Sequence, residues 1–91
     1  MIEYISGKLT SLSNVSAIVD VNGIGYLCFI TSNTYDNCPE IGNSISLLIH
    51  FNVSENSHDL YGFLEEKERD MFRMLISISG IGPKTAISML S

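Results

Sequence analysis

The first 63 residues alternate short apolar runs with turn residues, and this alternation limits the possible folds more than any other feature of the sequence. Five runs are separated by polar segments that contain glycine, asparagine or proline: YISGKLTSL, NVSAIVDV, IGYLCFIT, SISLLIHFNV and DLYGF. Asn22 and Gly23 stand between the second and third runs and favour a hairpin, because both residues tolerate positive φ. The pattern predicts five short strands.

Five short antiparallel strands in about sixty residues favour a small closed barrel. The OB-fold is the first candidate and an SH3-like barrel is the second. The polar segment SNTYDNCPEIGN lies between the third and fourth strands and predicts a loop with room for one helical turn. The predicted fold class is therefore mainly β plus α, with an OB-fold barrel domain over residues 1–63.

A helical pattern replaces the strand pattern from Leu64 onward. The segment LEEKERDMFRMLISIS places apolar residues at spacings of three and four, which predicts an amphipathic helix. We expect the methionines and the other apolar residues of this helix to pack in a core: Met71, Phe72, Met74, Leu75 and Ile76. Its charged residues are expected on a solvated face, where Glu65 and Arg69 stand one turn apart and give modest support to the helix.

The charge is distributed unevenly along the chain. The net charge is −5, whereas nucleic-acid-binding domains are usually basic. Residues 1–63 contain six acids and one base, Lys8, and residues 64–91 contain four acids and four bases. The whole net negative charge therefore comes from residues 1–63. If the chain binds DNA, we expect the second segment to make most of the contacts.

The cysteines and histidines do not have the spacing of a metal site. Cys28 lies in an apolar run and is predicted to be a core residue, Cys38 precedes a proline in a polar loop, and His50 and His58 are isolated. We therefore expect no metal and no cofactor. Unpaired thiols are compatible with a cytoplasmic location. The sequence has no secretory signal at its start and no apolar run near the ~18–20 residues of a membrane span, so we expect no membrane partner.

The stretch ISGIGPKTA, residues 78–86, interrupts the helical pattern, which then resumes at once. Gly80 and Gly82 can adopt backbone angles that are closed to other residues. Ile81 between them can point inward, and Pro83 suits the first position of a new helix, where its missing N–H costs nothing. The sequence predicts a helix, a tight Gly-Ile-Gly turn and a second helix.

Such a turn offers a binding site for phosphate. Backbone N–H groups at the turn and at the start of the second helix point outward together, and Lys84 adds a positive charge. The spacing matches the helix-hairpin-helix motif that binds the DNA backbone, whereas a dinucleotide-binding fingerprint fails because its third glycine is missing. The alternative is a plain connector between two helices. The predicted phosphate-binding residues are Gly80, Ile81, Gly82, Lys84 and Thr85.

The whole chain resembles the N-terminal part of the RuvA family of bacterial Holliday-junction branch-migration proteins. The resemblance is carried, in one register, by VDVNGIGY, HF at residues 50–51, LYGF, ERDMF and SGIGPKTAISMLS. It implies an OB-fold followed by the first of two helix-hairpin-helix motifs over residues 64–91. It also implies a homotetramer that holds four-way junction DNA flat while a separate hexameric ATPase, RuvB, drives the arms. The family has no catalytic centre, and the sequence offers no nucleophile–base pair.

The resemblance also implies an acidic pin in the turn SENSH. The two adjacent acids of the family fall on Glu55 and Asn56, so the first position matches and the second does not. A carboxylate near the strand crossover repels phosphates and helps to part the strands. We expect this role to be weakened by Asn56, with Asp59 a candidate to compensate. The alternative is that Glu55 is an ordinary turn residue.

The length of the chain leaves its function partly open. Members of the family continue through a second hairpin motif and a C-terminal domain that contacts the motor, so we expect these 91 residues to be a piece of such a protein. Two other functions remain possible from sequence. One is an oligomerisation module that binds DNA weakly, and the other is a helix-hairpin-helix module of a different repair protein.

Overall fold

The structure, a computed structural model, describes residues 1–91 and contains five strands and three helices. In chain order these are β1 (Tyr4–Leu12), β2 (Ser16–Val21), β3 (Ile24–Ile30), α1 (Ser32–Asp36), β4 (Ser44–Ser54), β5 (Ser57–Phe63), α2 (Glu66–Ile76) and α3 (Pro83–Leu90). The strands form a closed barrel in the order β1-β2-β3-β5-β4. The predicted OB-fold class, with helices after the barrel, is confirmed.

One strand pairing differs from the prediction that all neighbours are antiparallel. β3 and β5 pair in parallel, with Cys28 opposite Leu60 and Ile30 opposite Gly62. The reason is geometric, because strand directions cannot alternate all the way around a closed ring with an odd number of strands. At least one neighbouring pair must be parallel, and the barrel closes through that pair.

The interior of the barrel is filled by small and medium aliphatic side chains. Inward-facing residues alternate with outward-facing ones along β4, as the two-residue period of a strand requires. Cys28 is fully buried here, as predicted. We call the nine buried residues of this cluster the barrel core: Ile5, Leu9, Ala17, Val19, Cys28, Ile30, Ile45, Leu47 and Ile49.

The two connections predicted from turn residues are also present. Asn22 and Gly23 join β2 to β3 with φ angles of 54° and 91°. The Asp20 carboxylate accepts a hydrogen bond of 2.8 Å from the Gly23 amide and closes the turn. The single helical turn after β3 is α1, which begins after Thr31, whose hydroxyl accepts a hydrogen bond from the Thr34 amide.

A second cluster joins the barrel to the helices. Tyr61 and Phe63 of β5, Phe72 of α2 and Ala86 of α3 are all buried, and we call these four residues the aromatic cluster. The Phe72 ring lies 5.2 Å from the Tyr61 ring and 5.2 Å from the Phe63 ring, measured between centroids. This spacing is typical of favourable aromatic pairs. Both helices therefore pack against the outer face of β5.

The predicted core role of the α2 methionines is wrong. Met71 is 46% exposed and Met74 is 65% exposed, whereas Phe72 is fully buried and Leu75 and Ile76 are partly buried. Phe72, Leu75 and Ile76 share one stripe of the helix, and Met71 and Met74 lie on the adjacent one. The barrel covers only one side of α2, and that side carries the first stripe.

The expected support between Glu65 and Arg69 is also absent. Glu65 is the N-cap of α2 and has an extended backbone, so its side chain does not lie over the helical surface. The Arg69 guanidinium instead lies 3.4 Å from the carboxylate of Asp70. The charged residues of α2 are only partly on a solvated face, because Glu68 and Arg69 are half-buried.

Candidate nucleic-acid interface

The turn between α2 and α3 is held by a series of short-range hydrogen bonds. The Ile78 amide donates to the Leu75 carbonyl over 3.1 Å, and the Ile81 amide donates to the Ile78 carbonyl over 3.1 Å. The Ile81 side chain is half-buried and packs against the aromatic cluster. As predicted, this isoleucine points inward and anchors the turn.

The two glycines of the turn have different backbone conformations, and only one of them uses the backbone freedom that was expected of both. Gly80 has a φ of +89°, a region that residues with a side chain rarely adopt. Gly82 has a φ of −89° and a ψ of 172°, which is ordinary extended backbone. A Cβ atom added at Gly82 would meet nothing within 4 Å. Gly80 is therefore the position at which the turn requires glycine.

The N-terminus of α3 is open. Gly82 is its N-cap and provides no side-chain cap, Pro83 occupies the first turn, and no acidic residue follows in that turn. The amides of Lys84 and Thr85 donate no hydrogen bond within the chain, whereas the Ala86 amide donates to the Gly82 carbonyl over 3.0 Å. Free amides at the positive end of a helix are the groups that bind anions.

The Lys84 ammonium lies over a ring of the barrel. Its Nζ atom is 4.7 Å from the centroid of Phe29 in β3, a cation–π arrangement. Phe29 is in turn 5.6 Å from Tyr61, centroid to centroid. The positive charge at the start of α3 is therefore held beside the barrel by a residue that the sequence did not indicate.

A polar groove separates the start of α3 from the β4–β5 hairpin. It has a volume of about 330 Å³, and both elements line it: Asn52, Ser54, Ser57, Asp59, Tyr61, Gly82, Pro83, Lys84 and Thr85. Three of the predicted phosphate-binding residues, Gly82, Lys84 and Thr85, thus share one surface. Gly80 and Ile81 do not line the groove and instead shape the turn behind it.

The predicted pin residues form the tip of the β4–β5 hairpin. Ser54 pairs with Ser57, so Glu55 and Asn56 are the two residues of the turn. Both are exposed, and the two flanking serine hydroxyls are 2.8 Å apart. Glu55 forms no ion pair, and its charge is open to solvent. The hairpin therefore presents one free carboxylate at its end.

Asp59 does not lie at this tip. It stands within β5 opposite Asn52 and lines the groove together with Lys84. Burial and, as a smaller cause, the negative charge of Asp59 raise the pKa of Tyr61, so the Tyr61 hydroxyl stays protonated. The structure therefore gives Asp59 a place on the wall of the groove and not beside Glu55.

Two of the four bases of the helical segment form ion pairs within the chain. The Arg73 guanidinium donates to His50 Nδ1 over 3.2 Å and lies 3.7 Å from the Glu3 carboxylate. Arg69 is paired with Asp70. The remaining bases, Lys67 and Lys84, are exposed and form no ion pair, and Lys84 alone of the four lines the groove.

A polar contact between α1 and α2 was not predicted from the sequence. The hydroxyls of Thr31 and Thr34 donate to the same oxygen of Glu68 over 3.0 and 3.1 Å. The partners are 37 and 34 residues apart in the chain, so no local pattern could have paired them. The only signal was the position of Thr31 at the end of a predicted strand.

Metal-binding clusters and membrane-spanning helices are two further features relevant to the kind of site. No cluster of three or more histidine, cysteine, aspartate or glutamate side chains has a geometry that could hold a metal ion. None of the three helices combines the length and the apolar character that crossing a membrane requires.

Comparison with known proteins gives consistent matches along the chain. Residues 1–62 match the family model described as the RuvA N-terminal domain. The chain is 46% identical over 91 residues to the "Holliday junction branch migration complex subunit RuvA" of Chlorobium phaeobacteroides, and that alignment covers 100% of this chain and 46% of the relative. The proteins of the same name in Prosthecochloris aestuarii and a Polaromonas species are each 47% identical, and 46% and 48% of their lengths are covered.

These alignments include the α2–α3 turn as well as the barrel, since they extend over all 91 residues. The chain spans about half the length of the curated relatives it matches. The family match covers most of the chain and ends one residue before the last residue of β5, so it includes all five strands of the closed barrel. The chain belongs to the RuvA N-terminal domain family.

Proposed function

We propose that the chain binds the backbone of four-way junction DNA and serves as a scaffold for branch migration in recombination and repair. The carrying observation is the open N-terminus of α3, where the Lys84 and Thr85 amides have no partner in the chain. The side chain of Lys84 adds a positive charge to the same element, with its ammonium over the Phe29 ring. Phosphate complements both the free amides and the positive charge. The names of the relatives refer to the same kind of DNA.

The two sides of the groove are expected to act on DNA in opposite ways. Phosphates are attracted to the start of α3 and repelled by Glu55, which extends from the β4–β5 hairpin on the other side. A continuous duplex that passes the groove is repelled by the hairpin tip. In an open junction the tip can lie between the separated strands. On this basis we propose Glu55 and Asn56 as a pin with one charge.

The proposed role is non-catalytic. Of the residues proposed for the site, Gly82, Lys84 and Thr85 line the groove and would bind phosphate, and Gly80 and Ile81 would hold the turn that positions them. Movement of the DNA arms would then come from a partner ATPase, which the resemblance identifies as RuvB, in the cytoplasm where bacterial DNA lies. We also propose the division of the chain into a barrel domain over residues 1–63 and the start of a DNA-binding helical domain over residues 64–91.

A second candidate function is assembly of subunits, as the resemblance to a homotetrameric family implies. The observation that favours it is the exposure of large apolar side chains on β1 and β3, where Tyr4 is 66% exposed, Ile24 is 58% exposed and Leu27 is 49% exposed. Exposed apolar groups of this size are typical of interaction surfaces when they lie together. A substitution such as Leu27→Glu should then shift the protein toward monomers in sedimentation analysis.

The proposed function is tested by comparing two DNA substrates. A labelled four-way junction and a linear duplex with the same arm sequences are titrated with the protein at one fixed salt concentration, because phosphate-driven affinity depends steeply on salt. We expect a lower Kd for the junction. The size of the free protein is measured in the same buffer.

The possible results separate the candidate functions. Equal affinity for both substrates would contradict the scaffold role and leave general backbone binding. No measurable binding together with a stable oligomer would favour the assembly module.

A further inference from the structure

The contact between α1 and α2 centres on one carboxylate oxygen. Oε1 of Glu68 accepts hydrogen bonds from the hydroxyls of both Thr31 and Thr34, at 3.0 and 3.1 Å. Both threonines are fully buried. Hydrogen bonds to an ionised acceptor are roughly twice as strong as neutral ones. This contact therefore links the barrel to the helical segment at a point that water does not reach from the threonine side.

The two threonines are themselves oriented by backbone donors. The Thr34 amide donates to the Thr31 hydroxyl over 3.2 Å, and the Leu64 amide donates to the Thr34 hydroxyl over 3.4 Å. Each hydroxyl thus accepts a hydrogen bond from an amide and donates one to Glu68. Chains of hydrogen bonds that run in one direction polarise one another and strengthen the final bond. The carboxylate is the common end of both chains.

This arrangement supplies something that the apolar packing of the helices does not. Hydrophobic contacts of the aromatic cluster have no preferred direction, so they tolerate sliding and rotation of α2 on β5. Hydrogen bonds have preferred distances and angles. Glu68 lies one turn before Phe72 on the same helix, and Arg73 at the other side of Phe72 bonds to His50 and the Ile49 carbonyl of β4. The bonds of Glu68 to α1 add a second directional contact, which limits the orientations that the aromatic cluster and Arg73 permit.

The orientation of α2 determines where the proposed phosphate site lies. The α2–α3 turn follows directly from the C-terminus of α2 and leads into α3. The start of α3 forms one wall of the groove, and the β4–β5 hairpin forms the other wall. A rotation of α2 would move the start of α3 relative to Glu55. The distance between the attractive start of α3 and the repulsive hairpin tip would then no longer be fixed.

We propose that Glu68 is a positioning residue, whose bonds to Thr31 and Thr34 fix the α2–α3 turn relative to the barrel and thereby set the preference for junction DNA. The proposal rests on the proposed function of this chain. It assigns Glu68 no contact with DNA. Its effect on binding is exerted through the geometry of the groove.

The test uses a matched pair of acidic residues in α2. Glu66 and Glu68 both lie in the first turn of the helix, but Glu66 is exposed and makes no hydrogen bond to the barrel. Glu68→Ala and Glu66→Ala therefore remove the same charge from the same helix end, and they differ in the bonds to the threonines. A second pair, Thr34→Val and Thr34→Ser, removes or keeps the hydroxyl while the carboxylate stays.

Two quantities are measured for each variant. Residual dipolar couplings in solution report the orientation of α2 and α3 relative to the strands and need no DNA. Kd values for a four-way junction and a matched duplex give the junction preference. For Glu68→Ala we expect a changed or broadened orientation and a junction preference reduced roughly tenfold, the equivalent of one charge-assisted hydrogen bond. Thr34→Val should act in the same direction, and Glu66→Ala and Thr34→Ser should match the wild type.

The results distinguish positioning from simple stabilisation. Loss of stability alone lowers the active fraction and leaves the ratio of the two Kd values unchanged. Dipolar couplings of Glu68→Ala that fit the wild-type orientation would overturn the proposal, and so would a junction preference equal to that of Glu66→Ala. If the wild type itself shows no preference for junctions, the proposed function fails and this proposal falls with it, a result that is recognised without any Glu68 variant.

Discussion

The barrel core and the aromatic cluster differ in composition and in what they hold together. The barrel core consists of nine buried residues, all aliphatic except Cys28, from strands that are paired on both sides. The aromatic cluster has four buried residues and draws them from β5, α2 and α3. Hydrogen-bonded strands enclose the first, whereas the second depends on two helices packed against the outside of β4 and β5.

This difference indicates how the fold and the proposed site depend on different contacts. The barrel is specified by many interchangeable aliphatic contacts and by backbone pairing. The place of the α2–α3 turn depends on a few large rings and on polar bonds from Glu68 and Arg73 to the barrel. We therefore expect substitutions in the aromatic cluster to affect the helices first, and substitutions in the barrel core to affect the whole chain.

The largest effect is expected from Phe72→Ala. Removing a buried phenylalanine costs about 3–5 kcal/mol, and Phe72 contacts rings of both Tyr61 and Phe63. Amide hydrogen exchange should become faster throughout α2 and α3 while the strands keep most of their protection. Leu47→Ala in the barrel core is the comparison, and it should raise exchange in all elements. Equal acceleration in strands and helices of Phe72→Ala would contradict the separation of the two clusters.

A smaller effect is expected at the glycines of the turn. Gly80→Val places a β-branched side chain at a φ of +89°, which should lower stability by about 1–3 kcal/mol. Gly82→Val meets open space and ordinary backbone angles, so the thermal unfolding midpoint should be nearly unchanged. Its side chain would nevertheless stand at the groove and weaken junction binding. Equal loss of stability in the two variants would show that the backbone difference between the glycines has no consequence.

The tip of the β4–β5 hairpin should affect selectivity more than affinity. Glu55→Lys replaces repulsion of phosphate by attraction, so binding should tighten, and more for linear duplex than for the junction. Asn56→Asp adds a second charge and should raise the junction preference. Glu40→Lys makes the same change of charge at an exposed position outside the groove and serves as the control. If neither tip variant alters the ratio of junction to duplex affinity, Glu55 is an ordinary turn residue.

The smallest effect is expected from pH. Burial and then the charge of Arg73 lower the pKa of His50 below its usual value of 6.5, with Glu3 acting in the opposite direction. The unfolded chain therefore binds a proton at His50 more readily than the folded one, so stability should fall as the pH drops below about 6.5. His50→Gln should lose this part of the pH dependence of the thermal midpoint. Identical pH profiles for wild type and variant would refute it.

The sequence patterns that succeeded were local. The apolar run SISLLIHFNV predicted the strand β4, and Asn22 with Gly23 predicted a hairpin turn whose residues both adopt positive φ. The Gly-Ile-Gly turn before Pro83 was placed for the same reason. These features depend on side-chain and backbone preferences of neighbouring residues.

The features that sequence reasoning missed depend on contacts between distant segments. The exposure of Met71 and Met74 follows from which side of α2 meets the barrel, and periodicity allowed either of two adjacent stripes. The ring of Phe29 beside Lys84 comes from β3, a strand far from α3 in the chain. Which glycine needs positive φ was decided by the way the turn closes, since the sequence offered two.

The proposed binding of phosphate at the start of α3 is tested by the salt dependence of DNA binding by Lys84→Ala. We expect weaker binding to junctions of every sequence and a slope of log K against log salt that is smaller by about one unit than in the wild type. Lys67→Ala, which removes an exposed lysine of α2 outside the groove, should keep the wild-type slope. An unchanged slope for Lys84→Ala, or a loss of affinity confined to one DNA sequence, would contradict the claim.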